Sequence, residues 1–138
     1  MYVIVYKEIV NQNKTILSGR ALFGAPFTLE NQMIKYTTPT ISLIVEGADI
    51  TAHDIYVTLE QGTNELIKKG SDLNVSTEED GTKIIFTLTQ EESASFDYNN
   101  RAAVQVNWIT SQGVRSATEI KSIGVMRNLL DKVVNYGD

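Results

Sequence analysis

From about residue 40 the chain alternates apolar and polar residues with a period of two, and this constrains its fold more than any other feature. "TISLIVEG" sets Ile41, Leu43 and Val45 on one side; "HDIYVTLEQG" sets Ile55, Val57 and Leu59 against Asp54, Tyr56, Thr58 and Glu60. "GTKIIFTLT" contributes Ile84, Phe86 and Leu88, and "RAAVQVNWIT" contributes Val104, Val106 and Trp108. Successive side chains of an extended chain point to opposite faces, so each segment offers one face to a core and one to water. Shorter strands fit "NELIKKG" and "DLNVST". Gly47, Gly62, Gly70, Asp80-Gly81, Asn99-Asn100 and Gln112-Gly113 punctuate the runs, and Asp80-Gly81 is the sharpest hairpin signal. Short strands with turns at this spacing predict an all-β fold, a sandwich or a barrel. A sandwich uses the pattern directly, because each sheet hides one face against the other about 10 Å away. Trp108 shares its face with Val104 and Val106 and is expected to fill the core.

Two helices are expected. "TQEESASF" carries a capping box, with Thr89 as N-cap and Glu92 three residues later. A second, short helix is predicted near the carboxyl end, at 127–138. Asn128 would be its N-cap, Leu129, Leu130, Val133 and Val134 its apolar stripe, and Gly137 its close. Ten residues are marginal for a free helix, so this one has to dock on something. Residues 1–32 read differently from the rest. "MYVIVYKEIV" is strand-like, with Tyr2, Ile4 and Tyr6 against Val3 and Val5, and "SGRALFGAPFTLENQ" is loop-rich. The expected division is an N-terminal arm or added hairpin at 1–32, a sandwich at 33–126 and the terminal helix at 127–138. The aromatics Tyr2, Tyr6, Phe23 and Phe27 either cover one end of the sandwich or dock on a partner.

The residues carry no recognisable catalytic set. His53 is the one histidine, and its neighbour Asp54 would point to the opposite strand face, so the two form no dyad. Glu78, Glu79 and Asp80 lack the alternate spacing of a cation loop, and "LFGAPF" lacks the second glycine and the lysine of a phosphate loop. No enzyme activity, metal or cofactor is expected. The net charge of −5 argues against a nucleic-acid partner. The longest apolar run, "YVIVY", is far short of the roughly 20 residues that cross a membrane. Neither a membrane partner nor Sec-type secretion is expected, since the amino end has no basic region ahead of its apolar run.

Several ordered motifs carry a resemblance: "TTPTISL", "DIYVTLEQG", "FTLTQEESASF", "AAVQVNWITSQGV" and "ATEIKSIGVMRNLLDKVV". Over about residues 33–134 their order resembles a family of small Ig-like virion structural proteins of Gram-positive phages and prophages. It is similar, more distantly, to the N-terminal domain of phage baseplate upper proteins. The resemblance implies an Ig-like antiparallel β-sandwich that is a non-enzymatic structural or assembly module located in a virion, at the baseplate, tail, neck or capsid surface. Its partners would be other virion proteins and copies of itself. The residues expected to meet those partners are Tyr2, Ile4, Tyr6, Phe23 and Phe27 of the arm and Leu130 and Val134 of the terminal helix. The alternative is a carbohydrate- or host-surface-binding sandwich using Tyr56, Tyr98 or Trp108.

Overall fold

The computed structural model describes residues 2–11, 14–16, 18–20, 26–28 and 32–137, with side chains at 2–6, 9 and 32–137. Its first strands are β1 (Ile4–Asn11), β2 (Lys14–Ile16), β3 (Ser18–Arg20), β4 (Pro26–Thr28) and β5 (Gln32–Ile34). Then follow β6 (Thr40–Glu46), β7 (Asp54–Gln61), β8 (Asn64–Lys69), β9 (Asn74–Glu78) and β10 (Gly81–Thr87). A short helix, α1 (Gln90–Ala94), leads to β11 (Ala102–Ile109), β12 (Arg115–Ala117) and β13 (Lys121–Met126).

The strands form two facing sheets and a separate β3-β4 ribbon. One sheet has the order β2-β1-β6-β10-β9; the other runs β5-β13-β11-β7-β8, with β12 also paired to β11. Pairing is antiparallel throughout the named strands except between β5 and β13. The expected alternation decides which faces meet. In the first sheet Leu43 lies opposite Ile84 and Ile41 opposite Phe86. In the second, Val57 lies opposite Val106 and Ile55 opposite Trp108. All of these are buried in one core, which Met33, Ile50, Leu88 and Phe96 complete. Trp108 is 4% exposed and faces inward. The protein is therefore an all-β sandwich. Among the described residues no helix is long and apolar enough to cross a membrane, which says nothing about crossing by strands.

β1 belongs to this sandwich. It pairs along β6, with Ile4 opposite Val45, Tyr6 opposite Leu43 and Ile9 opposite Ile41. The register shifts between Tyr6 and Glu8, a one-residue bulge that re-phases the strand. Without it, Ile9 would face away from the side that Ile4 and Tyr6 occupy. A strict period of two across "MYVIVYKEIV" misses this step.

Three other expectations change. The hairpin before β10 turns on Glu79-Asp80, and Gly81 is already the first residue of the strand, opposite Glu78. The segment after Gln112-Gly113 is split, with an irregular stretch between β12 and β13. There the buried Thr118 hydroxyl accepts the Val106 N–H at 3.1 Å and donates to the Glu119 carbonyl, so a side chain replaces a ladder bond. The helix expected at 127–138 is not formed: residues 127–137 are irregular. Asn128 caps only a turn, accepting the Leu130 N–H at 3.0 Å. The backbone N–H that Val134 would give to a helix goes instead to the Gln90 side chain.

Gly81 adopts φ +153°, and a Cβ placed there would lie 2.0 Å from the Val45 carbonyl oxygen, a backbone atom that cannot yield. Gly81→Ala is expected to destabilise the fold by about 3 kcal/mol, measured as a fall in the urea midpoint with unchanged slope. A loss below about 0.5 kcal/mol would contradict this reading of the β6-β10 approach.

Candidate functional site

The expected partner-binding residues fall into two groups. Tyr2, Ile4 and Tyr6 are built into the sandwich. Ile4 is fully buried in the core and has no surface to offer. Tyr6 packs against the same core, and its hydroxyl is buried without a hydrogen-bond partner among the described residues. Burial pushes this phenol far above its ordinary pKa, against a smaller opposing pull from Arg101. Tyr2 is half-exposed, and its ring stands edge-on to Trp108 at 4.9 Å between centroids. The Tyr2 carbonyl accepts the Glu119 N–H at 2.8 Å, so the amino-terminal segment closes the end of the sandwich beside β11. Phe23 and the Phe27 side chain lie outside the described residues.

Leu130 and Val134 are exposed, and they belong to a strip of apolar surface. After β13, the chain presents Leu129 (88% exposed), Leu130 (51%), Val133, Val134 and a fully exposed Tyr136. Burial therefore does little to hold this segment. Side chains hold its backbone instead. The Gln90 amide donates to the Val134 carbonyl at 2.7 Å and accepts the Val134 N–H at 3.0 Å, as a neighbouring strand would. Asn128 donates to the Lys35 carbonyl at 2.9 Å. Tyr36 lies beside Asp131, and desolvation followed by that carboxylate's negative charge raises the Tyr36 pKa.

Helix α1 positions Gln90. Thr89 caps it, accepting the Glu92 N–H at 3.1 Å, while the Glu92 carboxylate accepts the Thr89 N–H at 2.8 Å. Glu92 also pairs with Lys68 of β8 at 2.8 Å, with side-chain exposures of 25% and 11%. The buried Ser93 hydroxyl donates to the Thr37 carbonyl at 2.7 Å. These bonds tie α1 to β8 and to the turn between β5 and β6.

A second surface is the outward face of the β8-β7-β11-β12 sheet. Register places Asn107 beside Tyr56, Thr58 beside Ile67, and Arg115 beside Ile109. These six residues border a shallow groove of about 320 Å³. The Arg115 guanidinium donates to Asn107 Oδ1 at 3.1 and 3.2 Å and has no carboxylate partner among the described residues. Next to the groove, on the other side of Tyr56, His53, Asp54, Lys69 and Ser71 border a wider open cleft of about 550 Å³. Among the described residues no hydrogen bond joins the His53 side chain to Asp54 or to Ser71.

Sequence reasoning singled out Leu130 and Val134, which are exposed, but expected a helix where the backbone is irregular. It missed Gln90, which reads only as the first residue after a cap. It also missed Ile67 and Arg115, although "ELIKK" carried a signal. Two adjacent apolar residues on one strand send one side chain to each face, so Ile67 had to meet solvent once Leu66 faced inward. Compared with known proteins, the chain matches no family model, and no curated protein is significantly similar to it.

The Glu92 bonds have a pH signature. Burial alone would raise this carboxyl, but the bonds from Lys68 and Thr89 together outweigh it and hold its pKa below the ordinary 4.5. Its stabilising contribution is therefore complete above that value and is lost as pH falls through the lower, folded-state value. Glu92→Gln is expected to be less stable than the native chain at pH 7, with the gap narrowing by pH 3. Urea titrations at both pH values measure this, and a gap independent of pH would refute it.

Proposed function

We propose that this protein is a non-enzymatic structural module of a phage or prophage particle. In this reading it is an immunoglobulin-like sandwich that docks on other virion proteins and on copies of itself. The observation that carries the proposal is the segment after β13: five exposed apolar side chains on a backbone fastened by Gln90 and Asn128. Large apolar side chains left in water on a tethered strip suit a surface meant to be covered by another molecule.

The immunoglobulin-like part of the reading rests on strand order. If β1, β6, β10 and β9 are labelled A, B, E and D, and β13, β11, β7 and β8 are labelled G, F, C and C′, the observed neighbours reproduce the two sheets of that architecture. The chain departs from antibody domains in its core. It has no cysteine, so no B–F disulfide joins the sheets, and its tryptophan sits on the F-like strand β11 instead of the C-like β7. The particle itself, at the baseplate, tail, neck or capsid surface, comes from the motif resemblance across residues 33–134.

A carbohydrate-binding reading calls for an exposed aromatic platform. Trp108 faces the core, while Tyr56 and Tyr98 lie near opposite ends of β7: Tyr56 near its start, Tyr98 in the loop that Gln61 clasps through the Asp97 and Asn100 carbonyls. They make no common surface, and the assembly reading is preferred.

Gradient-purified particles from the host bacterium provide the test. Quantitative mass spectrometry should find the protein at a fixed ratio to the other structural proteins. A Leu129→Ser/Leu130→Ser variant should keep the native melting temperature within about 2 °C, since both side chains are already in water, yet be depleted from particles. Protein that stays entirely at the top of the gradient would overturn the proposal.

A further inference from the structure

We infer that the apolar segment after β13 of one copy docks in the outer-face groove of a second copy, so that the protein associates head to tail. The inference rests on the assembly reading above and names the partner of the same segment.

The two surfaces match in chemistry. The groove combines the exposed Tyr56 and Ile67 with Ile109 and has Arg115 on its rim. That guanidinium bonds the neutral Asn107 amide and forms no ion pair within 4 Å among the described residues, although Glu60 and Glu65 border the adjoining cavity. An occupant should therefore be aliphatic with an acid among its apolar residues. "LLDKVV" at 129–134 supplies four aliphatic side chains and the acid Asp131, next to Lys132, whose longer side chain can reach away from the arginine. In the single chain Asp131 is exposed and forms no ion pair among the described residues. A volume of about 320 Å³ is at the small end for a ligand pocket, which suits a few aliphatic side chains better than a large cofactor.

Their placement makes the contact intermolecular and non-reciprocal. β13 runs past the start of β11, since Ala102 lies opposite Ile123, and the chain leaves at the α1 end of the sandwich. The groove lies toward the other end, where Ile109 pairs with Asp54 at the start of β7. A donor at one end and an acceptor near the other give a heterologous interface, which builds a ring if the rotation closes and a filament if it does not.

Gln90 sets the readiness of the donor. Its two bonds to Val134 occupy the backbone groups that a helix across 128–137 would use, and that helix would align Leu129, Leu130, Val133 and Val134 on one stripe. Releasing the clip favours the form with one apolar face, which is suited to lying in a groove.

Sedimentation velocity on the full-length chain over a broad concentration range tests this. The native protein should show concentration-dependent growth beyond a dimer. Arg115→Asp and Asp131→Arg should each weaken association by about tenfold or more. An equimolar mixture of the two should recover it, because an arginine-bearing segment then meets an aspartate-bearing groove. Gln90→Ala should strengthen association by up to about tenfold, through loss of two competing hydrogen bonds. A native chain that remains monomeric throughout, or association that neither charge reversal alters, overturns the inference. If the chain stays monomeric but the Leu129→Ser/Leu130→Ser variant is still lost from particles, the segment binds a different virion protein. In that case the assembly reading survives without this one.

Discussion

The close approach of β10 to β6 is the constraint on which the other features depend. Gly81 lets the start of β10 lie against the Val45 carbonyl, and from there the ladder brings Thr82, Ile84 and Phe86 across from Val45, Leu43 and Ile41. Those six side chains form the floor of the core. The Thr82 hydroxyl then secures the turn that follows β6, accepting the Ile50 N–H and donating to the Ala48 carbonyl. That turn carries the chain over to the opposite sheet. A displaced β10 would misplace Ile50, the start of β7 and with them the groove that begins at Tyr56.

The core also determines what is left to the surfaces. Each sheet spends one face on the other, and among the described residues the Tyr6 and Ser42 hydroxyls are buried without a hydrogen-bond partner. The buried hydroxyls of Thr82, Ser93 and Thr118 all hold backbone groups at places where strands end or break. Such bonds satisfy groups that would be costly to bury alone. What remains to differ between positions is the outside: Tyr56, Ile67 and Arg115 on one sheet, and the tethered apolar strip beyond β13.

That strip illustrates a balance of small terms. A ten-residue helix gains little by itself. Two hydrogen bonds from Gln90 and one from Asn128 are enough to draw the same residues into an irregular path along α1. Because each such bond contributes only about 1 kcal/mol net, the arrangement can give way when a better contact is offered. The helix-like spacing of Leu129, Leu130, Val133 and Val134 then describes a conformation within reach, different from the one the isolated chain adopts.

The sequence by itself determined the spans of β6, β7, β10 and β11, their inward faces, the burial of Trp108 and the capping box of α1. All of these depend on neighbours a few residues apart, through pleat periodicity and local side-chain-to-backbone bonds. Only the tertiary structure decided that β1 joins β6 through a bulge at Lys7, that Thr118 divides the last hairpin, and that residues 127–137 run without a helix. It alone revealed that Ile67, Asn107 and Arg115 share one groove. Those outcomes rest on partners far apart in the chain, such as Gln90 and Val134, 44 residues from one another. No local pattern encodes which distant group will compete for a backbone hydrogen bond, so that information exists only once the sheets have closed.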